Sequence, residues 1–284
     1  PTPTPTQTPT PTPTPTPTST STSPTNISTN EIELDERRAS YASSNAIRDV
    51  CLENGINKEQ FVRSSHRTLH IDTFSSKITS LDHITHFTGL TSLCIMRQTE
   101  LTNIGSTLQH LPLLESLWLT SCSLNVLDAN TFTGNSFLQS LHLSDNKLTS
   151  SCLKKALNPL VNLQQLWLNE NRLTSLSGFG KLSCLRSLWV CRNKIERIGD
   201  QLKLNVNLEE LNIADNRIGC FKEILHLSNA QSLRSLALND PHFGTNPVCS
   251  LCNYQTYALY HLNQITSLDN EYISDEAKVS ERAL

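Results

Sequence analysis

The sequence predicts an α/β solenoid, in which short coils stack and each coil adds one strand to a parallel sheet. Seven segments that begin with Leu follow one another at spacings of 24, 24, 25, 22, 23 and 25 residues, starting at Leu90. Within each segment apolar and polar residues alternate, as they do along a strand that is buried on one side. Asn returns at the ninth position of four segments. Because one coil cannot bury its own leucines, these observations favour a stack.

The repeated pattern is LxxLxLxxNxL, the signature of leucine-rich repeats. Full matches begin at Leu114, Leu138, Leu163, Leu185 and Leu208, looser copies at Leu90 and Leu233, and a degenerate copy covers 69–81. Leucines at the fourth and sixth positions should point into the solenoid. Side chains at the ninth position should bond backbone groups of adjacent coils and form a structural ladder. The predicted ladder residues are Cys122, Asn146, Asn171, Asn193 and Asn216.

Composition divides the chain into five parts. Residues 1–30 are almost entirely Pro, Thr and Ser, and we expect a disordered leader because there is little to bury. Residues 31–65 are predicted to form a helical N-terminal cap, since Ile47, Val50 and Cys51 follow helical spacing. Residues 66–240 hold the repeats, 241–275 a C-terminal cap with a helix and a last short strand, and 276–284 a tail. The chain does not begin with Met, so we expect it to be either a fragment or the product of an imperfect gene model.

The connections between strands are predicted to be short. Coils of 22 to 25 residues leave room for 3₁₀ or irregular turns on the convex side, with a helix only in the longer coils. At the C-terminal end of the repeats, Pro241 occupies the ladder position. We therefore expect the ladder not to continue there in its usual form.

The three tryptophans share one position in the repeat. Trp118, Trp167 and Trp189 each stand fifth in their coil, and His142 stands fifth in the coil between the first two. Alternation turns this position outward, onto the concave face, and strands about 4.8 Å apart place the four rings in one row. Clustered exposed Trp is typical of binding hot spots, although the rings could also merely shield one another and the sheet. The predicted partner-binding residues are Trp118, His142, Trp167, Trp189, Asn212, Glu210, Gln165 and Asn169.

Catalytic and metal chemistry find little support in the sequence. Cys249 and Cys252 form one CxxC pair, which fits half a zinc site, a redox pair or simply two small packing groups. No nucleophile accompanies His142, and the remaining histidines are dispersed. We therefore expect no enzyme activity, no cofactor, no metal and no small-molecule substrate.

Charge and cysteine content restrict the partners. A net charge of −3 gives no electrostatic signal for nucleic acid, and no apolar run approaches the roughly 20 residues that span a bilayer. The nine cysteines are mostly single within repeats, which favours reduced thiols in an intracellular protein. The Thr/Pro run and the sequon at Asn26 leave a secreted, mucin-like stalk as the alternative. We expect a protein partner on the concave face, without nucleic acid or membrane.

Two resemblances add to this interpretation. The short Asn-ladder repeats resemble the class typified by the nuclear regulatory subunit of protein phosphatase 1. The run LNDPHFGTNPVCSLCNYQTYALYHLNQITSLD at 238–269 resembles the terminal cap of the leucine-rich repeat-containing protein 9 family, as do the segments FVRSSHRTL and FTGLTSL. Caps of axonemal and spliceosomal repeat proteins are similar as well. The resemblance to the protein 9 family covers roughly residues 45–275 of this chain.

The resemblance implies a binding function and no enzymatic activity. It implies a non-enzymatic interaction scaffold of the cytoplasm, linked to the cilium or axoneme, and a longer parent chain with several repeat blocks. Two alternatives stay open. One is a regulatory subunit of a protein phosphatase, which the repeat type alone suggests, and the other is a structural spacer in a larger assembly.

Overall fold

The structure is a computed structural model that describes residues 61–64, 68–72 and 78–274. These residues belong to one compact unit, Ala39–Leu284. The predicted leader, the predicted helix of the N-terminal cap and the tail lie outside the described residues. The described part of the predicted cap, 61–64, is a strand.

The described residues form one large sheet and one small hairpin. The strands are β1 Phe61–Ser64, β2 Thr68–Asp72, β3 Ser92–Met96, β4 Ser116–Thr120, β5 Ser140–His142, β6 Gln165–Trp167, β7 Ser187–Trp189, β8 Glu210–Asn212, β9 Ser235–Ala237, β10 Asn239–Asp240, β11 Gly244–Thr245, β12 Ser267–Leu268 and β13 Glu271–Tyr272. The sheet has 11 strands, with β1 to β9 followed by β12 and β13, while β10 and β11 form the hairpin. From β2 to β12 its neighbours are parallel, and the terminal pairs β1–β2 and β12–β13 are antiparallel.

The parallel strands are aligned so that equivalent positions of the repeat face each other. Leu141 of β5, for example, pairs with Leu117 of β4 and with Leu166 of β6. The leucines at the first, fourth and sixth positions of the central coils are fully buried, as Leu138, Leu141 and Leu143 are. One continuous core of these side chains therefore runs through the stack. The predicted fold class, an α/β solenoid of leucine-rich repeats, is confirmed.

The return segments are short, as the coil lengths predict. The α-helices are α1 Ser150–Ala156, α2 Phe221–Leu225 and α3 Tyr254–His261. Helices α1 and α2 lie in the two longest coils, which begin at Leu138 and Leu208. The return segments also contain 3₁₀ turns, which in the described residues are Asp82–His86, Thr107–His110, Phe179–Lys181, Gly199–Leu202, His226–Asn229 and Pro247–Ser250.

Buried amides join successive coils at the ninth repeat position. The Nδ2 of Asn171 donates to the carbonyl of Leu143 in the preceding coil at 2.9 Å, and its Oδ1 accepts from the N–H of Leu148 at 3.0 Å. Asn146, Asn193 and Asn216 make equivalent bonds. Each amide thus satisfies buried backbone groups that no strand partner reaches. Cys122 stands in the same column, where its thiol donates to the carbonyls of Thr120 and Ile95 at 3.3 and 3.4 Å.

The ladder continues past Pro241, but not in its usual form, as the proline predicts. The side chain of Asn246 donates to the carbonyls of Ile213 and Leu238, both at 2.8 Å, and accepts from the N–H of Ile218 at 3.1 Å. The hairpin β10–β11 interrupts the coil between Leu238 and Asn246 and then returns the chain to the ladder. Pro241 lies in the turn of this insertion and is exposed.

The C-terminal end of the sheet is stabilised by a half-buried carboxylate. Oδ1 of Asp269 accepts from the N–H groups of Leu238 and Asn239 at 2.8 and 2.9 Å, and its Oδ2 accepts from the hydroxyl of Tyr254 at 3.1 Å. Burial of this carboxyl raises its pKa. Helix α3 is thereby fixed to the coil that precedes it, and β12 pairs in parallel with β9.

Candidate functional site

Four rings form a contiguous row on the outer face of the sheet. We call Trp118, His142, Trp167 and Trp189 the aromatic row, since they pair across β4, β5, β6 and β7. The ring centroids of Trp118 and His142 lie 3.6 Å apart with planes at 14°, and those of Trp167 and Trp189 lie 5.4 Å apart at 26°. Between these stacked pairs, the edge of one ring meets the face of the next, His142 to Trp167, at 4.3 Å.

The stacking decides which part of each ring a partner would meet. Within both stacked pairs the ring faces are turned toward each other. The faces within each pair are therefore covered, and a partner would meet mainly ring edges. Aromatic edges carry partial positive charge and suit contacts with apolar groups and with carbonyl oxygens.

A fifth ring, which sequence reasoning missed, extends the aromatic row. Phe243 lies in the turn of the β10–β11 hairpin, and its centroid is 6.3 Å from that of Trp189 in a T-shaped contact. The guanidinium of Arg192 donates to the carbonyls of His242 and Phe243 at 2.8 and 3.1 Å. It also lies 5.4 Å from the centre of the Phe243 ring. Arg192 thus holds the hairpin turn beside the last tryptophan.

The rings are less exposed than we expected from the sequence. The three tryptophans are only partly exposed, and His142 is 3% exposed. Burial lowers the pKa of His142 to about 4, so its ring is neutral near pH 7. Its Nε2 lies 2.9 Å from the hydroxyl of Ser140, whereas its Nδ1 and the indole N–H groups of Trp167 and Trp189 are buried without a hydrogen-bond partner. Mutual shielding of the rings is therefore part of the arrangement.

Besides His142, two further predicted contact residues are buried. Asn169 is 6% exposed, and its Oδ1 accepts from the N–H of Cys191 at 2.9 Å. Asn212 is 3% exposed, and its Nδ2 donates to Oδ2 of Asp240 at 2.9 Å. Both side chains are small enough to bend back onto the sheet and bond neighbouring groups, which alternation alone does not reveal. These two side chains therefore stabilise the outer face of the sheet from within and are not exposed on it.

Asp240 connects the buried side chain of Asn212 to the β10–β11 hairpin. Its carboxylate accepts from the side chains of Asn212 and Asn270 and from the N–H of His242. Burial of the carboxyl opposes its ionisation, but the hydrogen bonds outweigh burial and hold the pKa below its usual value. Asp240 is thus an ionised anchor that fixes the hairpin against β8.

The remaining predicted contacts, Gln165 and Glu210, line one side of the aromatic row. Oε1 of Gln165 accepts from the hydroxyl of Ser140 at 3.2 Å, and Oε2 of Glu210 accepts from that of Ser187 at 2.7 Å. Both stand at the third repeat position, where serines alternate with them along the sheet. Trp118 donates its indole N–H to the hydroxyl of Ser116 in this same column at 3.1 Å. The rings are therefore bordered by small, uncharged hydroxyl groups and two longer polar side chains.

Burial makes three cysteine thiols harder to ionise. Burial raises the pKa of Cys122 to about 11 and that of Cys191 to about 12, and it also raises the pKa of Cys249. Among residues 61–64, 68–72 and 78–274, no three His, Cys, Asp or Glu side chains are grouped to hold a metal ion. No helix of the described segments has the length and apolar content that crossing a bilayer requires.

Comparison with known proteins agrees with this geometry. Family models described as leucine-rich repeat match residues 112–173 and 155–283. This chain is a leucine-rich-repeat protein. No enzymatic family is indicated by these matches, and leucine-rich repeats typically mediate contacts between proteins.

Relatives of this leucine-rich-repeat protein match only part of it. It is 30% identical over 113 residues to leucine-rich repeat-containing protein 23 of Bos taurus, a match of 40% of this chain and 32% of that protein. It is 29% identical over 118 residues to U2 small nuclear ribonucleoprotein A' of Mycosarcoma maydis, covering 41% and 46% respectively. The matched region is thus less than half of either relative.

The same fold occurs in a solved structure. A leucine-rich-repeat protein of Leptospira interrogans superposes with a TM-score of 0.58 over 76% of this chain and 52% of its own, at 22% identity. At this identity the likeness concerns the fold alone.

Proposed function

We propose that this protein is a non-enzymatic scaffold that binds a protein partner on the concave, outer face of its sheet. The observation that carries the proposal is the aromatic row, three tryptophans and a histidine in continuous contact across four strands. Trp is enriched in binding hot spots because a single ring contributes a large contact area. The serine hydroxyls at the third repeat position, beside the rings, supply hydrogen-bond donors and acceptors for a polar rim.

The packing of the rings favours affinity as well. Rings that are already stacked lose little rotamer freedom when a partner arrives. The exposed edges offer apolar contact and weak donors to the partner's carbonyl oxygens. The partly exposed state of the three tryptophans is therefore compatible with recognition, because the aromatic row is preorganised rather than loose.

The narrower parts of the proposal rest on the resemblance. Membership in the leucine-rich repeat-containing protein 9 family would make this chain one repeat block of a longer cytoplasmic protein linked to the cilium or axoneme. Regulation of a protein phosphatase is the second candidate within the binding class, and repeat type alone favours it. A structural spacer is the third candidate, and it predicts that the aromatic row contributes only to packing.

A double variant distinguishes partner recognition by the aromatic row from the structural-spacer alternative. The full chain and its Trp167→Ala/Trp189→Ala variant are used as baits in extracts of ciliated cells, and captured proteins are quantified by mass spectrometry. The matched control is Leu204→Ala/Val206→Ala, which removes apolar side chains that are 67% and 61% exposed on a return segment. We expect the tryptophan variant to lose specific partners that the control retains.

The result is interpreted together with stability. Loss of the partner in a tryptophan variant that keeps its far-UV circular dichroism and melting temperature supports recognition. Equal capture by both variants contradicts it and leaves the spacer. Binding of the purified catalytic subunit of protein phosphatase 1 to the chain would favour the regulatory alternative, and absence of binding at micromolar concentration would remove it.

A further inference from the structure

A second surface of the solenoid lies outside the aromatic row, at the end of the strands. In four consecutive coils the residue that follows the ladder Asn is a cation. We call Lys147, Arg172, Lys194 and Arg217 the basic column. All four side chains are exposed, although the chain as a whole has a net charge of −3. Four positive charges therefore lie on one line that runs along the axis of the stack.

Backbone hydrogen bonds hold the basic column in register. The N–H of each member donates to a carbonyl of the preceding coil, at 2.7, 2.9, 2.7 and 2.8 Å for Lys147, Arg172, Lys194 and Arg217. Successive members are therefore one coil apart, about 5 Å, at the spacing of parallel strands. The four positions are fixed by the fold, and only the side-chain ends are free to adjust.

Neighbouring carboxylates neutralise the positive charges of the basic column only weakly. Arg217 lies 3.8 Å from Glu196, but both side chains are more than half exposed, so the pair is weak. Lys147 Nζ donates to the hydroxyl of Ser123 at 3.3 Å. Within residues 61–64, 68–72 and 78–274, no carboxylate lies within 4 Å of the charged ends of Arg172 or Lys194. Like charges at this spacing repel each other, and an anion lying along the column would relieve that repulsion.

The basic column leads into a cavity at its N-terminal end. The cavity has a volume of about 410 Å³, and the residues that line it include Lys147, Arg97, Ser121 and Ser123. The carboxylate of Asp145 lines it as well. The positive charges of Lys147 and Arg97 attract a carboxylate, whereas the charge of Asp145 repels it.

We propose that the basic column and this cavity bind an acidic peptide segment of a protein partner, through its Asp and Glu carboxylates. The column spans three coil steps, about 15 Å, which an extended run of four or five acidic residues matches at roughly 3.3 Å per residue. This surface is separate from the aromatic row, so the inference goes beyond the function proposed above and does not depend on it.

The flanking charges favour a peptide over a nucleic acid. Two positions earlier in the same coils stand Asp145, Glu170 and Asp215, which form a line of acids beside the basic column. Arg192 takes the equivalent position in the third of the four coils, and it contacts Glu170 at 3.1 Å and Asp215 at 3.7 Å. The positive strip is thus only one side chain wide. A nucleic acid backbone, which needs a broad basic surface, would meet the acids, whereas a single acidic strand fits beside them.

A labelled peptide of eight glutamates tests the proposal directly. Its fluorescence anisotropy is measured with the full chain in 20 mM and 150 mM salt. The test variant is Arg172→Glu/Lys194→Glu. The matched control, Lys181→Glu/Lys203→Glu, makes the same charge change in the same two coils but on their return segments, where both lysines are exposed. Circular dichroism and melting temperature verify that each variant is folded.

We expect the parent chain to bind the peptide at low salt and to weaken as salt screens the charges. Reversal of two cations should weaken binding about tenfold, from the usual size of exposed ion pairs, while the control stays within about twofold. Trp167→Ala/Trp189→Ala should bind the peptide as the parent does, so failure of the aromatic-row proposal would leave this result unchanged. Equal weakening in test and control variants, no binding by the parent at low salt, or tighter binding of an eight-nucleotide oligothymidylate would overturn the inference.

Discussion

Replacement of one ladder amide tests what joins the coils. Asn171 is 7% exposed, and its Nδ2 donates to the carbonyls of Leu143 and Leu168 at 2.9 and 3.1 Å. Its Oδ1 accepts from the N–H of Leu148 at 3.0 Å. Asn171→Ala removes all of these bonds in the middle of the stack and leaves the leucines of both coils in place.

The neighbouring ladder residues limit the cost. The carbonyl of Leu143 still accepts from Asn146 at 2.9 Å, and that of Leu168 still accepts from Asn193 at 2.9 Å. Within residues 61–64, 68–72 and 78–274, the N–H of Leu148 has no such second partner, and the substitution leaves it buried and unpaired. An unpaired buried donor costs about 1–3 kcal/mol, and the space left by the amide adds about 1 kcal/mol. We expect the free energy of unfolding to fall by about 3 kcal/mol.

Urea unfolding followed by far-UV circular dichroism at pH 7 measures this difference. Asn125→Ala is the matched control, because Asn125 is exposed and stands outside the ladder. Its effect should stay within about 0.5 kcal/mol of the parent, as for other surface substitutions. A loss of less than about 1 kcal/mol in Asn171→Ala, or a loss equal to that of the control, would refute the view that the buried amides hold adjacent coils together.

Three further changes probe the aromatic row and the returns. Burial lowers the pKa of His142 to about 4, so protonation of this ring favours the unfolded chain. Between pH 6.5 and 4 the unfolding free energy of the parent should therefore fall by about 3 kcal/mol more than that of His142→Phe. Urea titrations across this pH range measure the difference. Phe243→Ala should cost about 1 kcal/mol and shift Trp emission to longer wavelength, since Trp189 loses its ring contact. Gly178→Ala should lower the free energy of unfolding in urea by about 2 kcal/mol or more, because the alanine would be forced to φ +99° with its Cβ 2.7 Å from the backbone of α1. The control Gly219→Ala places its Cβ in open space, and its effect should stay within about 0.5 kcal/mol.

The spacing and alternation of leucines were sufficient to predict the fold. A residue between two inward leucines has only one side of the strand left to it, so the outward position of Trp167 followed from its neighbours alone. Coil length was informative for the same geometric reason. A return that is two or three residues longer has room for a full helical turn, and α1 and α2 lie in the two longest coils.

The insertion after Leu238 escaped prediction because it interrupts the period. Counting nine positions from Leu233 reaches Pro241, whereas the chain forms a hairpin and supplies the ladder amide from Asn246. The dipeptide Phe243-Gly244 was the available signal, since Gly244 has a φ of +126°, as a turn would require. A turn at this point implies an insertion and shifts the ladder position to the next Asn.

Alternation assigns a side chain to a face of the sheet, but its exposure depends on the size of its neighbours. His142 lies between two indoles in the aromatic row and is covered by them, whereas the tryptophans extend beyond their neighbours and stay partly exposed. Asn212, next to the large ring of Trp189, is drawn to Asp240 and buried. Exposure along such a row therefore depends on contacts between adjacent coils, which the sequence of a single coil does not contain. For the same reason the response of the aromatic row to a substitution should spread along it, and single-residue effects within it should not be additive.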